Sequence, residues 1–291
     1  MGEARRRKHL QKFAPPPPAP AEALLIAEIN IERCFVSFGA DMSEYLDAPG
    51  FRVAHVCELL VQIDAAWAEG RRTLLVVVDS GGGQLEGGIL LHDAFQAWRI
   101  AGGRVVVFIS GYAASMMSWA ILSADLVVAA PGSRVVVHGP SRGLSEAATD
   151  CKRALYRVHT LSPAALVERW VRTPSSPDGE GLVFLTPRRA VEYGFADEIG
   201  DYDRARELAL LLARGERVTS PRRTALTARG RLHEFDPELR GLHETAMALR
   251  QTMVVEWDPR TAIGAAVVAS VQQARARLAE AVGKAQLQEA C

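Results

Sequence analysis

Residues 73–110 read TLLVVVDSGGGQLEGGILLHDAFQAWRIAGGRVVVFIS. TLLVVV (73–78) is a short, continuous apolar run, the pattern of a strand covered on both faces, and RVVVFIS (104–110) is a second one. Between them lie a glycine turn, DSGGG, and a stretch of helical pattern, ILLHDAFQAWRIAGG. Strand, glycine turn, helix, strand is a βαβ crossover, which commits the chain to a parallel sheet with helices packed on it. The same alternation continues through a helix at 114–124, a strand LVVAA and a strand SRVVVH.

Upstream, ALLIAEINIERCFVSFG reads as one or two strands. Residues 51–69 space Val53, Val56, Leu60, Ile63 and Trp67 at helical intervals, and Gly70 closes that helix. Downstream, 145–171 reads as a long polar helix with a break at Ser162-Pro163, and TPSSPDGEG (173–181) is a loop by composition. LVFLTPRRAVEYGFADEIGDY gives a short strand and a helix that starts at Thr186, has Pro187 in its first position and ends at Gly194. Beyond about residue 215 the character changes. SPRR and FDP interrupt the pattern, and 260–289 reads as an Ala-rich amphipathic helix with Ile263, Val267, Val271, Leu278 and Val282 on one stripe.

A chain of 291 residues with 48% hydrophobic and 23% charged residues is an ordinary soluble globular composition. Its formal net charge of zero supplies no field to draw it to nucleic acid or to an anionic membrane. The charge-free run from Val105 to Ala124 has the length of a membrane span, but Gly111 interrupts it and Arg104 and Asp125 bound it, so it is strand, turn and core helix. Cys34, Cys57, Cys151 and Cys291 form no CxxC pair, which indicates neither a zinc site nor a disulfide framework. Residues 1–22, basic and then proline-rich, contain no apolar stretch of signal-peptide length and read as a disordered cytoplasmic arm. Lysine occurs only at Lys8, Lys12, Lys152 and Lys284, so lysine chemistry in the core is limited to Lys152.

Three features carry candidate chemistry. Consecutive glycines after a buried strand, Gly82 and Gly83 among them, let the backbone approach a ligand and present N–H groups to an oxyanion, although a tight structural turn explains them equally. Ser115, in GYAASMMS (111–118), stands at the expected start of a helix after a buried strand, between small and flexible neighbours, where the first-turn N–H groups, that of Met116 included, are free. An N-cap serves as the plain alternative. His138 ends the strand SRVVVH, 23 positions after Ser115, where a general base for that serine would stand.

The run SGGG, the helix GILLHDAFQAWR, GYAASMMSWA, APGSRVVVHGP and FLTPRRAVEYGFADEI, in that order, resemble the proteolytic subunit of Clp-type proteases, including its phage head-maturation relatives. The resemblance implies an α/β fold, a ClpP/crotonase-like spiral of ββα units with a helical handle. It divides the chain into the arm, a peptidase domain over 23–205 and a mainly helical extension over 206–291. It implies a serine endopeptidase needing no metal or organic cofactor, with Ser115 as nucleophile, His138 as base and the N–H groups of Met116 and of Gly82 or Gly83 as oxyanion hole. It also implies a polypeptide substrate, a homo-oligomeric ring, and an ATP-dependent unfoldase or a phage capsid as partner, with neither nucleic acid nor membrane involved.

Two positions depart from the pattern. Gly81 replaces the motif proline, and the orienting aspartate falls on Leu182, which cannot hold an imidazole. Asp178, or Glu180, in the preceding loop is the substitute the sequence offers, Asp178 being preferred. A crotonase-type acyl-CoA enzyme, a Ser/Lys peptidase using Lys152, and a catalytically weakened scaffold paralogue are the competing readings. Glu192, Asp197 and Glu198 read as surface and capping residues.

Overall fold

The computed structural model describes residues 25–37, 52–139, 159–173 and 181–228, together with 149, 152, 153, 156 and 157. The N-terminal arm, the 260–289 helix, and both Asp178 and Glu180 lie outside the described residues. Among the described residues an eight-stranded sheet runs in the order β2 (Arg52–His55), β1 (Ile26–Ser37), β3 (Thr73–Gly83), β4 (Arg104–Ala114), β5 (Leu126–Ala129), β8 (Glu198–Ile199). β6 (Arg134–Val137) branches from β4 and carries β7 (Val183–Leu185). Every pairing is parallel except β6 with β7.

The apolar runs are continuous because both sheet faces are covered. Along β3, Leu74, Val76 and Val78 point into one core with helices α1 (Val56–Ala68) and α2 (Leu85–Ile100), while Leu75 and Val77 point into a second. Ala205, Leu208 and Ala209 of α6 (Tyr202–Ala213) fill that second core. Helix α7 (Pro221–Ala228) is anchored by Arg222, 2% exposed, which donates to the carbonyls of Leu122 and Ala124 and lies 3.5 Å from Asp197.

Several local expectations are corrected. The 51–69 helix begins only at Val56, because residues 52–55 extend the sheet beside β1, with Val53 opposite Phe35. DSGGG is no turn: β3 continues through it, pairing Gly82 with Phe35 and Gly83 with Val36. β4 likewise runs on to Ala114, and the 114–124 helix shrinks to α3 (Met117–Ala120) and a 3₁₀ turn, Ile121–Ser123. Asp197 is buried, accepting from the backbone N–H groups of Val127 and Arg222, and so is not a surface residue. Glu192 and Glu198 are surface groups as expected, paired with Arg189 and Arg204. The polar helix is broken where Pro163 predicts, α4 (Ala164–Arg172) following the break. α5 (Pro187–Glu192) starts as read: Thr186 accepts from the Arg189 N–H, and Gly194 ends it at φ +75°.

Candidate active site at the strand ends

The site arises because β4 changes partner along its length. Residues 106–109 pair with β5, and 112–114 pair with β6, so the sheet splits near Gly111. A split at the C-terminal ends of parallel strands leaves a crevice there. Gly111 is required at the bend: a Cβ would lie 2.2 Å from Asp79 Oδ1, the carboxylate oxygen that accepts from the Tyr112 N–H.

Ser115 follows β4 directly. Its N–H donates to the Val136 carbonyl of β6 at 2.8 Å, and its φ is +54°, in the left-handed region. Among the described non-glycine residues only Arg33 shares that geometry. Such a conformation costs about 1–2 kcal/mol. It is held by the following turn, in which the Ser115 carbonyl accepts from the Ser118 N–H at 3.1 Å and from Ser118 Oγ at 2.6 Å. Since the Ser118 hydroxyl proton is used there, Tyr156 donates to Ser118 Oγ across their 2.6 Å contact. Burial pushes the Tyr156 phenol up, so it remains a donor. Ser115 is thus not an N-cap; Met116 holds that position of α3.

The glycine run lies against this serine. A Cβ on Gly82, whose φ is +99°, would meet Ser115 Cβ at 2.6 Å and the Ala114 carbonyl at 2.7 Å. A Cβ on Gly83 would collide with the Val36 carbonyl at 2.1 Å, and one on Gly88 with Met116 Sδ at 2.6 Å. The Gly82 N–H donates to Ser80 Oγ at 3.2 Å, and Ser80 in turn is fixed on the Cys34 carbonyl. The backbone of Gly82 therefore reaches within contact of the serine only because it bears no side chain.

His138 follows β6, two positions beyond the carbonyl that holds Ser115, and is 8% exposed. The antiparallel ladder ends at the pair Val137 and Val183, and His138 and Leu182 are the next residues beyond it on the two chains. Among the described residues the imidazole meets no carboxylate, and it is not hydrogen-bonded to Ser115. Its Nδ1 instead faces the Gly139 carbonyl at 2.5 Å. A carbonyl can only accept, so Nδ1 carries the proton and Nε2 is the basic nitrogen. Gly139 is itself pinned, its N–H donating to the Thr173 carbonyl at 3.1 Å, where a Cβ would lie 2.2 Å from that oxygen. Burial, then the Lys152 ammonium, lowers the His138 pKa from 6.5 to about 4.

Lys152, which the sequence offers only as the lysine of a Ser/Lys peptidase, lies against the backbone of the histidine. It is 4% exposed, and its Nζ donates to the carbonyls of His138 at 3.0 Å and Gly139 at 3.4 Å. Burial lowers its pKa from 10.5 to about 8. Tyr156 lies one helical turn on, so one face of this segment touches both the serine turn and the histidine. A solitary lysine in a core otherwise served by arginine was the available signal, but nothing local tied it to His138.

The fold and these strand ends define an α/β protein with a serine in a strained elbow, glycine backbone beside it and a histidine just past the neighbouring strand. The chain belongs to the Clp protease family, whose family model, described as Clp protease, matches residues 51–203. It is similar to an ATP-dependent Clp protease proteolytic subunit of Chlorella vulgaris, 30% identical over 138 residues, or 45% of this chain and 67% of the relative. Among solved structures, a ClpP1 point mutant from Listeria monocytogenes aligns with a TM-score of 0.46 at 16% identity, covering 64% of this chain and 96% of that one. A probable enoyl-CoA hydratase from Mycobacterium tuberculosis aligns with a TM-score of 0.48 at 19% identity, covering 68% and 84%. No helix among the described residues is long and apolar enough to cross a membrane.

Proposed function

We propose that the protein is a serine endopeptidase in which Ser115 is the nucleophile and His138 the general base. The observation that carries this reading is the conjunction at Ser115: a positive φ, a glycine whose absent side chain admits the serine, and a histidine two residues past the Val136 carbonyl. Ser115 Oγ attacks the peptide carbonyl carbon while His138 Nε2 takes its proton, and the carbonyl oxygen becomes an oxyanion. The N–H groups of Met116 and Gly83 serve as its donors; Gly82 shapes the pocket, its own N–H already engaged by Ser80. Collapse of the intermediate breaks the C–N bond as His138 returns the proton to the leaving amine. Water then hydrolyses the acyl-enzyme by the same route.

A base with pKa near 4 is neutral and ready at pH 7, but no carboxylate among the described residues stands beside it to stabilise the imidazolium. This favours a slow enzyme. The described side chains offer no acid in place of Leu182; Asp178, in the loop before it, is the substitute the sequence offers. The relatives' description as ATP-dependent proteolytic subunits supports a polypeptide substrate, assembly into a homo-oligomeric ring, and delivery by an ATP-driven unfoldase in the cytoplasm, a phage capsid being the alternative partner.

The test is labelling by a fluorophosphonate, in which the serine oxygen displaces fluoride from phosphorus. Labelling of the wild type that disappears in Ser115→Ala, together with casein cleavage lost in the same variant, is the expected result. A wild-type protein that is folded and unlabelled would overturn the assignment in favour of a crotonase-type acyl-CoA enzyme or a scaffold paralogue.

A further inference from the structure

Lys152 is the one lysine among the described residues; it is buried, and among those residues its ammonium meets carbonyls and no carboxylate. Burying an ammonium without a counter-charge is costly, and such a group is kept where its hydrogen bonds do something a neutral side chain cannot. Its two acceptors are consecutive carbonyls, those of His138 and Gly139, and the second is the oxygen that also receives Nδ1–H of His138. A compact ammonium on a flexible stem can serve two adjacent carbonyls of a chain bend, whereas a planar guanidinium suits a flat pair of oxygens. Gly139 is thereby held at both of its flanking peptides: Thr173 accepts from its N–H and Lys152 donates to its oxygen.

We propose that Lys152 is a positioning residue that, through the Gly139 carbonyl, does the orienting work left open by Leu182: it holds the imidazole with Nδ1–H bound and Nε2 turned to Ser115. This role rests on the peptidase reading. It substitutes for an acid in geometry but not in charge. A carboxylate would both hold the ring and stabilise the imidazolium, while the ammonium holds the ring and opposes the imidazolium. The expected enzyme is therefore correctly aligned and intrinsically slow.

The experiment compares full-length wild type, Lys152→Met, Lys152→Gln and Ser115→Ala. Two quantities are read: the rate of fluorophosphonate labelling, and the titration of the His138 ring by NMR in histidine-labelled protein, with the resonance assigned by loss in His138→Gln. Methionine removes both charge and donors, so the His138 pKa rises from about 4 toward 6.5 and labelling slows about tenfold or more. Glutamine removes the charge but keeps an N–H donor, so the pKa rises while the labelling rate lies well above that of the methionine variant. Loss of the charge alone raises the His138 pKa in both variants, so the gap in labelling rate between glutamine and methionine is what reports positioning. Wild-type labelling in Lys152→Met, or a glutamine variant no faster than the methionine one, overturns the role. If no protein is labelled but the His138 titration still shifts in Lys152→Met, the contact stands and the peptidase reading is what has failed, taking the positioning role with it.

Discussion

Replacing Lys152 by methionine has a stability signature that follows from its burial. The ammonium of a free lysine titrates at 10.5, and burial brings that of Lys152 to about 8. Each pH unit is about 1.4 kcal/mol, so the folded protein disfavours the charged form by about 3 kcal/mol. The sign is fixed by which state holds the proton. Between pH 8 and 10.5 the unfolded chain keeps it while the folded protein releases it, so wild-type stability rises with pH across that window. Below pH 8 both states are protonated and the whole penalty is present. Methionine has no proton to lose. The stability of wild type relative to Lys152→Met should therefore climb by about 3 kcal/mol from pH 8 to pH 10.5. At neutral pH methionine removes the buried charge but leaves the His138 carbonyl without that donor, a loss of about 1–3 kcal/mol. The two terms nearly offset, so the variant should be as stable as wild type while labelling poorly. Urea unfolding followed by tryptophan fluorescence at several pH values measures the difference. A wild-type-to-variant gap that stays flat across the window would refute the reasoning, as would a variant weaker by more than about 3 kcal/mol at neutral pH.

Ser115→Gly should raise stability by about 1 kcal/mol, because φ +54° is costly for serine and free for glycine, while abolishing labelling; a loss of stability in chemical denaturation would contradict the strain. Gly82→Ala places a methyl 2.6 Å from Ser115 Cβ at a left-handed φ and should lose labelling at least about a hundredfold with the far-UV spectrum kept; a labelled variant would remove Gly82 from the site. Asp197→Ala strips a buried carboxylate from Val127, Ser220 and Arg222 and leaves the Arg222 cation uncompensated, so unfolding should come about 3–5 kcal/mol sooner in urea. Acidification from pH 6.5 to about 4 should cost the wild type up to about 3 kcal/mol through His138, since the unfolded chain binds that proton first; this acid limb should shrink in His138→Gln.

The sequence by itself determined the layered α/β architecture, because unbroken apolar runs such as TLLVVV and RVVVFIS can be satisfied only by a sheet covered on both faces. It also marked Ser115, His138 and the glycine run, whose residue types and order are local properties of the chain. Local punctuation was equally legible: Thr186 with Pro187 opens a helix, and Gly194 ends it. What the sequence misplaced was decided by pairing between distant segments. DSGGG has the composition of a turn, yet β1 supplies partners for its backbone and draws it into the sheet. The same neighbour takes residues 52–55 away from the helix that follows. Asp197 has a surface residue's chemistry, and only the approach of Ser220 and Arg222 makes it a buried acceptor. The surroundings of His138 belong to this second kind. Leu182 told that no acid stands at that one position, but that a lysine fourteen positions on reaches back to the His138 carbonyl depends on how a helical segment packs across the strand ends, and no pattern along the chain encodes that distance.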